Sequence, residues 1–278
     1  AGFAHVSCLA EQAKILCAEA EENNLDDTQW HRWYKCSLCE QDYHGVVSCA
    51  LGWACWKTYL GRPETDWARL SAMTVLGNGL HDAGHHEDAL LVREAHISLL
   101  RRVGAPASNM LAVQGNLANT YDQLGRYEEA LRTHRDVYSS HVRLFGEEHR
   151  GTFLVAENYA LALLRVRRFE EAKSLLREAI PVARRVLGEN HEQTLKMRAI
   201  YAAALCEDPG AALEDLREAV TTLEDLERTA RRVFGGANPI TEGIERSLEL
   251  ARATLHARET ANESSLREAM EAMTPGDA

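Results

Sequence analysis

The chain is 278 residues long with a formal net charge of −11, and it is rich in Leu, Ala, Glu and Arg but holds only 6 prolines, an all-α profile. The acidic balance argues against nucleic acid as the main ligand, because neutralising phosphates needs a concentrated basic surface. No apolar run approaches the ~20 residues of a membrane span, and six of the seven cysteines precede residue 56, unlike a secreted disulfide framework.

A reducing, intracellular and cytoplasmic setting follows from that cysteine usage, and no signal-peptide pattern opens the chain. The pattern begins mid-motif at Ala1, which reads as a fragment whose N-terminus, with any targeting signal, lies upstream. The basic clusters Arg165–Arg168, Arg184-Arg185 and Arg231-Arg232 each meet acids one turn away, so they read as solvated helix faces.

Residues 1–44 differ in kind from the rest. His5 and Cys8 are two residues apart, an acidic helical stretch follows (Leu9–Asn23), and then come Trp30, Trp33 and the pair Cys36-x2-Cys39. Such pairs each supply two ligands at tetrahedral reach of one zinc ion. The competing reading is that they are small buried cysteines packing helices. The run GFAHVSC, a helix, a Trp-rich approach and CSLCEQDYHG resembles the second half of a RING-CH (RINGv) zinc domain. That resemblance implies that His5 and Cys8 complete one zinc site and Cys36 and Cys39 a second. It also implies that a parent protein with the other half would recruit a ubiquitin-conjugating enzyme as a ubiquitin ligase. The 27 residues between Cys8 and Cys36 are long for that family, and the first four ligands are absent. No cofactor is therefore expected in this chain, and zinc only in a full-length parent.

Residues 45–65 hold an apolar helix, Val46–Leu60, whose Cys49 and Cys55 read as core residues. Leu60-Gly61 and Pro63 stop it, giving a capping helix or half-repeat. Residues 66–260 then repeat themselves. Asn116–Val137 (NLANTYDQLGRYEEALRTHRDV) reads as two amphipathic helices around a turn at Gly125-Arg126, and Tyr127 aligns with His86 at 41 residues and Phe169 at 42. A fixed period in this range marks a stacked repeat. Four copies are expected, at Asp66–Val103, Ala107–Phe145, Thr152–Leu187 and Gln193–Phe234. Gly77, Ala118 and Ala160 in the first helices, and Ala89, Ala130, Ala172 and Ala212 in the second, leave room for close helix approach. Gly84 and Gly125 supply left-handed turn residues, a place taken by Arg167 or Arg168 in the third copy. The fourth copy has a shortened EDPG turn, Glu207–Gly210, and about seven extra residues in its second helix.

The pattern closely resembles the tetratricopeptide repeat in its kinesin-light-chain form. The family's connector signature, LG-x-x-H-P-x-T, is matched by Phe145–Thr152 and Leu187–Thr194 and more weakly by Phe234–Thr241. The resemblance implies a right-handed superhelical solenoid of helix-turn-helix repeats, preceded by the incomplete zinc-finger-like segment. Ile244–Arg258 would be a terminal cap, and residues 261–278 a short helix beginning near Asn262-Glu263-Ser264 and a disordered tail, Thr274–Ala278.

No P-loop, nucleophile elbow or HExxH helix is present, so the chain reads as a non-enzyme. His81, His85 and His86 with Asp82 read as solvated turn residues rather than a metal site. The function expected is that of a scaffold holding a protein or peptide in the groove lined by the first helices of the repeats. The resemblance points to Asn78, Asn116, Asn119 and Asn158 there, since an Asn amide gives a ligand backbone both a donor and an acceptor. The alternative is the substrate-selecting part of a RING-CH ubiquitin ligase. No heptad coiled coil suggests association with a motor.

Overall fold

Three-residue and four-residue turns, each holding a left-handed residue, set the architecture. Gly84, Gly104 and Gly125 have φ of 81°, 64° and 72°, and Arg167 at 61° takes the glycine place in the third repeat. The computed structural model describes residues 5–25 and 28–273. Among these residues the regular structure is eleven α-helices, a 3-10 turn at Trp30–Trp33 and one isolated antiparallel bridge, Lys35 to Asp42. The chain divides into two compact units, Ala1–Val137 and Tyr138–Ala278.

The first unit contains α1 (Val6–Glu22), α2 (Gly45–Tyr59), α3 (Trp67–Asp82), α4 (His86–Arg102), α5 (Ala107–Gln123) and the start of α6 (Tyr127–Phe145). Asp66 starts α3 by accepting the Ala68 N–H at 2.8 Å, satisfying a donor that the helix cannot. Asp82 does the same from a distance, accepting the Gly45 N–H at the start of α2 at 2.6 Å. Helices α2 and α3 approach closely because Gly52 and Gly79 lie at their crossing. A Cβ on Gly79 would sit 2.5 Å from the Ser48 carbonyl oxygen, and one on Gly52 3.0 Å from the Leu76 Cα. The segment before α2 joins this core: Ala13 and Cys17 of α1 and Trp33 pack with Cys55, Tyr59, Ala68 and Ala72. Burial raises the Cys55 thiol well above its ordinary pKa, as a core cysteine requires.

The second unit contains the end of α6, then α7 (Arg150–Arg165), α8 (Phe169–Leu187), α9 (Glu192–Glu207), α10 (Leu213–Phe234) and α11 (Pro239–Met273). Its connectors explain their own signature. Gly146, Gly188 and Gly235 end the preceding helices at φ of 86°, 100° and 86°. Three residues later His149, His191 and Asn238 cap the next helix, each side chain accepting a backbone N–H two residues on, at 3.1, 3.1 and 2.9 Å. The threonine donates its hydroxyl back to the glycine carbonyl, Thr152 to Gly146 at 2.7 Å and Thr241 to Gly235 at 2.9 Å. Phe153, Ala160, Leu176 and Met197 form one core cluster, and Leu205, Leu223, Leu226 and Ile244 belong to the next.

Three local expectations are corrected. Ala212 is exposed and precedes α10 in extended conformation, because Pro209-Gly210 holds the chain out of the helix for one more turn. The position three residues into α10 that alanine fills in the other repeats is taken by buried Leu216. The helix after the last connector does not restart near Asn262. It runs unbroken from Pro239 to Met273, since no Gly or Pro interrupts it after Gly243, and Thr260 and Ser264 return their hydroxyls to carbonyls one turn back. His81 is half-buried rather than solvated, its pKa pushed down to about 4 by burial and by the neighbouring Arg93. The expected tail, residues 274–278, lies outside the described residues. No described helix is long and apolar enough to cross a membrane.

Candidate functional site

Each unit presents a face built from the first helices of its repeats. In the second unit, α7, α9 and α11 line an open groove of about 460 Å³, within the size range of ligand clefts. Its walls are Leu161, Ala199, Ile200, Ile240 and Ile244, with Glu157 and Lys196 as its charged members. Leu161 is 40 % exposed, a large apolar side chain turned to solvent. Glu157 is half-buried, and its pKa is raised chiefly by loss of water around the carboxylate. The Gln193 amide donates to it. Lys196 instead pairs with Glu192 at 2.6 Å.

In the first unit a smaller hollow of about 190 Å³ lies between α3 and α5, lined by Ser71, Thr74, Asn109 and Val113 over the His96 ring of α4. His96 is buried, its pKa pushed down to about 4 by desolvation, and its Nε2 has no hydrogen-bond partner. Arg93, one turn earlier on α4, is also buried. It donates to the Asn116 carbonyl at 2.5 Å, the Gly77 carbonyl at 3.4 Å, Asn78 Oδ1 at 3.1 Å and the Thr120 hydroxyl. No carboxylate among the described residues pairs with it, and desolvation brings its pKa down to about 10.

The four asparagines fall differently from one another. Asn78 is exposed on α3, with its amide oxygen already held by Arg93. Asn116 and Asn119 are half-buried on α5, and it is the Asn116 main-chain carbonyl that Arg93 uses. Asn158 is half-buried on α7 beside Glu157 but does not line the groove; 42 residues on, Ile200 occupies its place and does. Leu161 and Glu157 were missed from sequence. An exposed leucine one turn after Glu157 in a repeat's first helix was the available signal.

The four candidate zinc ligands remain two separate pairs. His5 and Cys8 are exposed at the start of α1, where the His5 carbonyl accepts the Cys8 N–H at 2.9 Å. Cys36 and Cys39 sit on a tight turn closed by the Cys36 N–H to Gln41 carbonyl bond at 2.8 Å, with Glu40 at φ 55°. Cys36 Sγ accepts N–H bonds from Cys39 and Leu38, which lower its pKa. Two thiols are half of a tetrahedral set. Among the described residues no group of three or more His, Cys, Asp or Glu side chains could hold a metal ion, so these residues do not fit a complete site.

Comparison with known proteins gives the frame. Residues 109–184 match the tetratricopeptide repeat family model. Over those residues the chain is similar to tetratricopeptide repeats. The fold is shared with a putative kinesin light chain of Podosopora anserina with nearly identical TPR-like repeats, at 19 % identity and TM-score 0.54 over 83 % of this chain and 98 % of that one. It is likewise similar to BtubC (BKLC) from P. vanneervenii, at 14 % identity and TM-score 0.55 over 99 % and 96 % of the two chains. At these identities the likeness is one of fold. No curated protein sequence matches the chain. Tetratricopeptide repeats generally act as protein–protein interaction scaffolds, and such folds are typically non-enzymatic.

Proposed function

We propose that this chain is a non-enzymatic scaffold, working in the cytoplasm, that holds a peptide or protein partner in the groove between α7, α9 and α11. The observation that carries this reading is the open apolar hollow there, with Leu161 exposed on its wall. An unpaired apolar surface of this kind gains free energy when a partner covers it. Random-peptide display on the purified chain tests it. Peptides enriched on the native protein should be lost on Leu161→Arg and kept on Asn78→Ala, whose side chain lies on the other unit. Binding that survives Leu161→Arg places the ligand elsewhere.

One observation favours a second reading for the N-terminal segment. The Cys36–Cys39 turn already directs N–H groups at the Cys36 sulfur, an arrangement that stabilises a metal-bound thiolate. On this reading a longer parent carrying C-x2-C and C-x-C pairs is a RING-CH ubiquitin ligase, a ubiquitin-conjugating enzyme is a further partner, and the repeats choose its substrate. The encoded residues upstream of Ala1 test it, and so does a zinc titration. The chain by itself should bind less than one equivalent tightly, while a parent with both missing pairs should bind two.

A further inference from the structure

The groove of the second unit is apolar along its walls but not neutral. Glu157 on α7 is half-buried at its α7–α9 edge. The groups facing it from α9 are the Gln193 amide, Lys196 and Glu192, and the Lys196 ammonium is taken by Glu192 at 2.6 Å. From α11 the groove receives Ile240, Gly243, Ile244 and Ser247, none of them charged. The local sum is two carboxylates and one ammonium, and Lys196, shared with Glu192, offsets only part of the Glu157 charge.

We propose that this groove selects a peptide segment in which a single lysine or arginine is flanked by apolar side chains, the cation pairing with Glu157 and the apolar residues covering Leu161, Ile200 and Ile244. This rests on the groove reading above and deepens it. Desolvation already raises the Glu157 pKa, so the carboxylate stands at a cost that an incoming cation relieves; charge complementarity in a partly dry groove discriminates between partners strongly. An acidic segment would bring a like charge against the same group and is rejected.

The test is random-peptide display on the whole purified chain, in native form and as Glu157→Gln, Glu157→Lys and Leu161→Arg. Peptides enriched on the native chain should carry one Lys or Arg among apolar residues, and Glu157→Lys should enrich acidic ones instead. For the best synthetic peptide, replacing its cation by norleucine should weaken binding roughly tenfold on the native chain and less than about twofold on Glu157→Gln, a coupling that places the two charges together. Equal losses on both proteins, or enrichment without a cation, overturn this inference while Leu161→Arg sensitivity keeps the groove. Enrichment that persists on Leu161→Arg, or no enrichment on any form, overturns both.

Discussion

Thr152 and Thr194 occupy the same place in successive connectors, yet substitution of each by valine should act in opposite directions. Both are buried. Thr152 donates to the Gly146 carbonyl at 2.7 Å and meets His141 Nδ1 at 2.9 Å, whereas the Thr194 hydroxyl has no partner. Valine keeps the shape and removes the hydroxyl. At Thr152 this deletes a hydrogen bond and orphans a carbonyl, a cost of about 1–2 kcal/mol. At Thr194 it deletes an unpaired buried polar group, which is neutral or stabilising by about 1 kcal/mol. For a chain of this size 1 kcal/mol moves the melting midpoint by roughly 2–4 °C. Thr152→Val should therefore melt about 3–6 °C lower, and Thr194→Val no lower than the native chain. Far-UV circular dichroism is the assay, because all five tryptophans fall between Trp30 and Trp67 and report only the first unit. Equal destabilisation by both changes would refute the idea that the signature threonine works through its glycine carbonyl.

Other outcomes follow from the buried charges. Arg93→Ala should cost about 3–5 kcal/mol, since it strips donors from two carbonyls, Asn78 and Thr120 at once; tryptophan fluorescence reads it in the first unit. His96 is held neutral with a pKa near 4 against 6.5 for the free group. The unfolded chain thus binds a proton between those values that the folded one refuses, and stability falls as pH drops from about 6.5 towards 4, by up to about 3 kcal/mol. His96→Leu should shrink that acid limb in urea titrations, leaving the share due to His81, whose pKa is likewise pushed down to about 4. Glu157 has the opposite sign. Its raised folded pKa makes stability decline as pH climbs through it, so Glu157→Gln should melt higher than the native chain at neutral pH and equal to it in acid.

Much of this architecture was legible because repeats carry their own punctuation. The helix pairs of the four copies, the left-handed turns at Gly84, Gly125 and Arg167, and the capping histidines of the connectors all follow from residue types at a fixed period. Helix packing within a repeat was legible too, except where a local turn changed the phase: Pro209-Gly210 moved Ala212 out of its helix and handed its place to Leu216. The groove was harder. Adjacent residues on a helix differ by about 100°, so the step from Asn158 to Glu157 decides which side chain faces a neighbouring first helix, and that depends on how far each pair rotates against the next. Periodicity within one copy does not contain that rotation. The docking of α1 and the tryptophans on α2 and α3 was hidden for a related reason, since an aromatic beside a cysteine pair reads equally as a zinc-site neighbour and as core.

The inward position of the second helices shows what the repeat leaves free. Seven residues into each helix it is Arg93 in the first copy, His134 in the second and Leu176 in the third, all buried. Three cations are buried among the described residues. Lys173 meets Asp208 at 3.1 Å and Arg198 meets Glu189 and Asp225 at 2.7 and 2.8 Å, so each of those charges is matched by carboxylates. Arg93 is not matched, and carbonyls, an amide and a hydroxyl from α3 and α5 solvate it instead. Leucine in that place would pack without these costs, as Leu176 does in the third copy. What arginine adds is directional: its fixed fork ties the Gly77 turn of α3 to the Asn116 turn of α5 from the helix behind them. The spacing of the two helices that wall the first unit's polar hollow is thereby set by a buried fork of hydrogen bonds, whereas in the second unit apolar packing sets it together with the Gln193 amide, which reaches from α9 to Glu157 and the Phe153 carbonyl of α7. An apolar groove can be walled by side chains that slide. A polar one, lined by Ser71, Thr74 and Asn109, keeps its donors and acceptors in fixed register only where its walls do not.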